Sequence, residues 1–201
     1  MFLLFGDQAA SIFDEAEEIV PYVFSDITIR DLMDDNSEFR RQINRIIRDH
    51  KNIDHVVFYF GQVELCEIPS RKTYTTYIKL YVEWIANLLG RFKRTIFVPH
   101  YKISINSDDV IKATSSTNSL LQHIQYFEYI YIFTKCVNEY KLGNILSYVD
   151  INKHILDSNL IVKNKYRKNK SRNDRISEIP YNESESFIAA AYLQEYKSNS
   201  M

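Results

Sequence analysis

A run of five apolar residues, Val56-Val57-Phe58-Tyr59-Phe60, stops at Gly61-Gln62. Unbroken apolarity of β-branched and aromatic types over this length belongs to a strand covered on both faces, as in a parallel sheet. Phe2-Leu3-Leu4-Phe5, followed by Gly6-Asp7-Gln8, repeats the pattern in shorter form at the start of the chain. Thr95-Ile96-Phe97-Val98 closes on Pro99-His100, and Ile145 to Val149 closes on Asp150. A weaker strand begins at Val23-Phe24 and ends near Ser25-Asp26.

The segments between these strands carry helical spacing. Residues 8–19 predict a short helix with Asp14, Glu15, Glu17 and Glu18 on its wet side. Residues 37–51 predict a basic amphipathic helix with Ser37 as its N-cap and Phe39, Ile43, Ile46 and Ile47 on its apolar side. Residues 71–92 place Tyr74, Tyr77, Ile78, Tyr81, Ile85 and Leu88 along one side. Another helix runs from Ser115–Thr117 to about Tyr140, with Leu120, Leu121, Ile124, Phe127, Tyr131 and Val137 as its stripe. Leu142-Gly143 stops it, glycine suiting the left-handed position, and Ser186 to Tyr196 predicts a terminal helix. Strands alternating with helices imply a parallel sheet covered on both faces. The expected fold is a single α/β domain over residues 1–201 with a central parallel sheet of about five strands.

Composition narrows the function classes. At 23.8 kDa the chain has room for one substantial core, and a formal charge of −1 gives no global argument for nucleic acid or an anionic surface. Cys66 and Cys136 lie far apart without metal-ligand spacing, so no zinc site or disulfide framework is expected. The first apolar run meets Asp7 after a few residues, too soon for a signal peptide or a membrane span. Cytoplasmic location, no membrane span and no obligate cofactor are the expectations; oligomeric state stays open.

Ligands of open α/β sheets bind outside the carboxyl ends of the strands. That rule selects Gly6, Asp7 and Gln8 after the first strand, Gly61, Gln62 and Glu64 after the third, and His100 after the fourth. Asp7 would either cap the following helix or act as a general base. Gln8 and Gln62 suit hydrogen bonding to a ligand or to loop backbone. Glu64 would raise one carboxyl pKa if it lay near Asp7, or it would pair with Arg71 or Lys72. His100 would serve as base or phosphate donor, or simply follow a proline at the surface. Ser11 is the one hydroxyl close to Asp7 in sequence, about a turn into the helix. His154 stands four residues after Asp150, without a convincing metal set. Tyr74, Tyr77 and Tyr81 suit packing better than a stacking platform for sugars. Between residues 163 and 175, Lys163, Lys165, Arg167, Lys168, Lys170, Arg172 and Arg175 crowd together. They form a solvated loop or a clamp for phosphate, with Lys168 and Arg172 as its named members.

Three stretches, Leu3-Leu4-Phe5-Gly6-Asp7-Gln8, Val56 to Glu64, and Tyr148-Val149-Asp150-Ile151-Asn152, resemble the SGNH (GDSL-like) hydrolase superfamily. The likeness is to its branch of small proteins found beside polysaccharide-assembly genes, and it covers roughly residues 1–195. The resemblance implies a flavodoxin-like three-layer sandwich with a nucleophilic serine after Gly-Asp on strand one, where this chain has Gln8. It implies glycine and asparagine oxyanion donors after strand three; Gly61 matches, but Val63 stands in the asparagine slot. It implies an acid and a histidine before the last helix, where this chain reads Ser177-Glu178-Ile179-Pro180-Tyr181.

A triad works as a unit, so loss of nucleophile and base together argues against ester hydrolysis. The resemblance therefore implies a role in glycan or polysaccharide biosynthesis with a carbohydrate or nucleotide sugar as partner. The chain would be a transferase using Asp7 or His100 as base, with Lys168 and Arg172 on a diphosphate. The alternative is a non-catalytic module binding a sugar or a partner. A residual hydrolase on Ser11 is a third reading.

Overall fold

The computed structural model describes residues 1–14, 16, 19–65, 71–100, 117–139, 146–156 and 181–200. The strands are β1 (Phe2–Gly6), β2 (Ile19–Val23), β3 (His55–Tyr59), β4 (Lys93–Phe97) and β5 (Leu146–Val149). They form one all-parallel sheet in the order β2-β1-β3-β4-β5, the flavodoxin-like order expected above. β3 is buried along its whole length and β1 and β4 nearly so, whereas the edge strands β2 and β5 are only partly covered. That contrast explains why the central strands read as unbroken apolar runs and β2 does not.

The helices are α1 (Ile29–Met33), α2 (Glu38–Asp49), α3 (Arg71–Ala86), α4 (Thr117–Glu139), α5 (Asn152–Ile155) and α6 (Tyr181–Ser200). α1 packs on α2 and α3, and α3 packs on α4. A 3₁₀ segment, Gln8–Phe13, packs instead on α6, which also covers β5. This is the three-layer arrangement that right-handed crossovers from this strand order produce. Aromatic rings join the layers: Tyr192 of α6 stacks on Phe97 of β4 at 4.7 Å, and Tyr196 hydrogen-bonds His55 at the foot of β3. On the opposite face, Trp84 of α3 meets Phe58 edge-on.

Several local expectations shift. The segment after β1 is a 3₁₀ turn ending at Phe13, and β2 occupies Ile19–Val23 where the helix over 8–19 and the later strand were expected. Pro21 hid the strand, but β2 is an edge strand, where a missing N–H is tolerated. α1 was not foreseen, although Thr28 and Asp31 form a reciprocal capping box, a readable start signal. α3 ends at Ala86, six residues before its expected end, because Asn87 turns the chain and Gly90 takes a φ of +139°. On α4 the buried stripe is Tyr129, Ile130, Phe133 and Val137, while the expected members Ile124 and Tyr131 are exposed. Two stripes compete on this helix, and the one carrying Tyr129 and Phe133 meets Tyr74 and Tyr81 of α3. The stop at Leu142-Gly143 lies outside the described residues.

Candidate functional site

The carboxyl ends of β1, β3, β4 and β5 lie side by side, and their polar residues are used to hold those ends together. Asp7 is fully buried. Its Oδ1 accepts the N–H of Ala9 at 2.9 Å, capping the 3₁₀ segment. Its Oδ2 crosses to β3 and accepts the N–H groups of Gln62 at 2.9 Å and Val63 at 3.3 Å. The β1 and β3 ends meet at the switch point of the sheet, where consecutive connections leave in opposite directions. Asp7 spans that gap.

Gln62 makes the next link. Its Nε2 donates to the carbonyl of His100 at 2.9 Å and its Oε1 accepts the His100 N–H at 3.0 Å. One side-chain amide thus imitates the backbone pairing of a strand and extends the β3–β4 ladder beyond Tyr59. Asn152 makes the third link, donating to the Pro99 carbonyl at 3.0 Å and to Asp150 Oδ1 at 2.8 Å. Three side chains therefore clasp four strand ends in series. The His100 side chain is buried with them, its Nδ1 bonded to the Tyr59 hydroxyl and its ring stacked on that tyrosine. From the other layer, the Tyr192 hydroxyl donates to the Val98 carbonyl.

Two glycines permit this closeness. A Cβ on Gly6 would stand 2.5 Å from the Ala10 Cβ and 2.6 Å from the Tyr59 carbonyl oxygen. Gly61 has a φ of +103°, and a Cβ there would lie 2.8 Å from the Tyr129 hydroxyl.

Glu64 differs from the clasps. It sits in a 3₁₀ turn, Val63–Leu65, and its Oε1 accepts the Ile29 N–H at the start of α1. Its Oε2 is buried with no hydrogen-bond partner. Burial pushes its carboxyl up to about 8; the Asp7 and Asp31 charges add to this, and the Ile29 N–H opposes it. Glu64 is therefore a protonated carboxylic acid at neutral pH. The hydroxyls of Tyr81 and Tyr129 are buried as well and feel the Glu64 charge. Burial raises both phenols well above their ordinary range, and the Glu64 and Asp7 charges add to it.

The other expected site residues scatter. Gln8 is exposed, and its Oε1 accepts from the Ser25 hydroxyl at 3.2 Å. Ser11 donates to the Gln8 carbonyl at 2.9 Å, back along its own turn. Arg71, offered above as a partner for Glu64, pairs with Glu128 at 2.9 Å instead. His154 pairs with Glu195 at 2.8 Å, and no cluster able to hold a metal occurs among the described residues. Tyr74 and Tyr81 are packing residues, as their spacing suggested. Lys168, Arg172 and the rest of the 163–175 segment lie outside the described residues, as do Pro180 and Cys66. No helix among the described residues is long and apolar enough to cross a membrane.

Sequence reasoning missed Tyr59, Tyr129, Tyr192 and the Glu64–Ile29 contact. Tyr59 was hidden inside an apolar run, where a phenol reads as one more ring. Asn152 was visible in the stretch after β5, but nothing in sequence pointed it at Pro99. Comparison of the chain with protein-family models and with curated proteins finds no match.

Proposed function

We propose that this chain is a non-catalytic binding module on an SGNH-type α/β frame, taking a carbohydrate or a partner of glycan assembly at the carboxyl edge of its sheet. One observation carries the reading. Asp7, Gln62 and Asn152, which stand where an enzyme of this architecture keeps its reacting groups, spend their hydrogen bonds on neighbouring strand ends. The serine slot holds Gln8, tied to Ser25, and the asparagine slot holds Val63, whose N–H goes to Asp7. A nucleophile with an adjacent base is missing from this set. The glycan connection rests on the resemblance. Cytoplasmic location belongs to the same reading.

A transferase is the second reading, favoured by Glu64 alone. A carboxyl that keeps its proton at neutral pH is suited to general-acid work on a leaving oxygen. Purified protein exposed to a panel of oligosaccharides and nucleotide sugars separates the two. A ligand at about a hundred times its Kd stabilises the fold by roughly 2.7 kcal/mol, visible as a thermal shift. Binding without release of product supports the module. Product formation that Glu64→Gln abolishes assigns the chain to the transferases.

A further inference from the structure

At the opposite end of the sheet, where β3 and β4 begin, the carboxyl half of α2 and the loop between α3 and β4 enclose a groove of about 730 Å³. Its floor is apolar, built by Ile47, Ile53, Trp84 and Phe92. Its rim carries Arg48, Lys51 and Arg91, and no carboxylate among the described residues lines it. The cationic strip continues along α2, where Arg41, Arg45 and Arg48 fall on one face and line an adjoining depression that also contains Glu38. Arg45, Lys51 and Arg91 form no ion pair among the described residues. Arg48 approaches Asp49 only at 3.8 Å, with both side chains exposed.

The loop beside this rim presents Leu89, which is 92% exposed, more than any other large apolar residue described. The loop is braced in that position. The buried Arg94 guanidinium donates to the carbonyls of Leu88, Gly90 and Phe92, and it also lies over the Phe92 ring at 4.6 Å. A leucine held outward beside Arg91 at the mouth of the groove is solvated at a cost in water.

We propose that this edge docks the domain on an anionic phospholipid surface, with Arg45, Arg48, Lys51 and Arg91 on headgroup phosphates and Leu89 in the acyl boundary. Charge complementarity selects an anionic partner. Arg45, Arg48, Lys51 and Arg91 are spread over the end of α2, the segment after it and the α3–β4 loop, which calls for several phosphates in a plane rather than one small anion. The aliphatic tip selects a bilayer over a nucleic acid, which offers no hydrocarbon phase for it. Docking in this pose turns the carboxyl edge of the sheet, with its clasped strand ends, toward water.

Flotation of the full chain with vesicles tests this, using phosphatidylcholine alone and phosphatidylcholine mixed with phosphatidylglycerol. The expected result is flotation with the anionic vesicles only, lost at high salt. Lys51→Glu with Arg91→Glu should lower partition by at least about tenfold. Leu89→Ser should lower it by roughly tenfold. These side chains are exposed, and circular dichroism verifies that each variant folds. Absence of flotation at low salt overturns the proposal. So does flotation that both variants retain. Loss with the charge reversals but full retention in Leu89→Ser, together with competition by a single-stranded oligonucleotide, would mean a polyanion site and also overturns it.

Discussion

Replacing Glu64 by glutamine should flatten a pH dependence that the wild-type fold carries. In the unfolded chain this carboxyl titrates at its ordinary 4.5; in the fold, burial holds it at about 8. Between those values the folded state keeps a proton that the unfolded state has released, so stability falls as pH rises. The stabilisation relative to an ionised carboxylate is fully present below about 4.5 and gone above about 8. The gap between 4.5 and about 8, at roughly 1.4 kcal/mol per pH unit, amounts to about 5 kcal/mol. Within the convenient range from pH 6 to pH 8 the expected loss is about 2 kcal/mol. The amide introduced by Glu64→Gln would keep an oxygen to accept the Ile29 N–H and would carry no titrating proton. Urea unfolding of both proteins at pH 6, 7 and 8 isolates the term, because other titrating groups cancel in the difference. Wild type should approach or fall below the variant as pH rises. Parallel pH profiles for the two proteins would refute the reasoning and mean that Glu64 is ionised and compensated in the fold.

Three more perturbations probe the same neighbourhood and the foot of the sheet. Gln62→Met removes both bonds to the buried His100 backbone, so chemical denaturation should show a loss of about 2–3 kcal/mol. Gly61→Ala combines a φ of +103° with a Cβ only 2.8 Å from the Tyr129 hydroxyl. It should cost about 2 kcal/mol, and Tyr129→Phe in the same chain should restore part of it, as thermal melts would show. His55 is held at about 4 by burial, with Lys93 adding to the effect, so the folded state resists protonation. Its stability contribution is present above the ordinary 6.5 and lost as pH falls toward 4; His55→Gln should show a shallower acid limb in the same unfolding series.

The central strands were legible because burial on both faces leaves a one-dimensional signature, a continuous apolar run ended by glycine or proline. The edge strand β2 was not, because half-exposure and Pro21 remove that signature. The helices were found wherever one stripe dominated, as on α3, and misphased on α4, where two stripes compete and the choice depends on which partner the helix meets. At the site, proximity was legible and role was not. The strand-end rule brought Asp7, Gln62 and His100 to one edge, but a carboxylate that caps backbone and one that takes a substrate proton look alike in sequence. The difference lies in contacts 55 residues apart, Asp7 to the amide of Gln62. Glu64 became distinctive only through its burial and the unpartnered Oε2.

Equilibrium unfolding of Asp7→Asn, read beside ligand binding, bears most directly on the claim that the strand-end side chains are clasps. Asparagine keeps the shape but turns an NH₂ toward one of the backbone N–H groups that Asp7 now accepts. The account predicts a loss of about 2–3 kcal/mol, with faster amide exchange at Gln62 and Val63. A variant as stable as wild type, with exchange at those amides unchanged, would contradict it and return Asp7 to the candidates for chemistry.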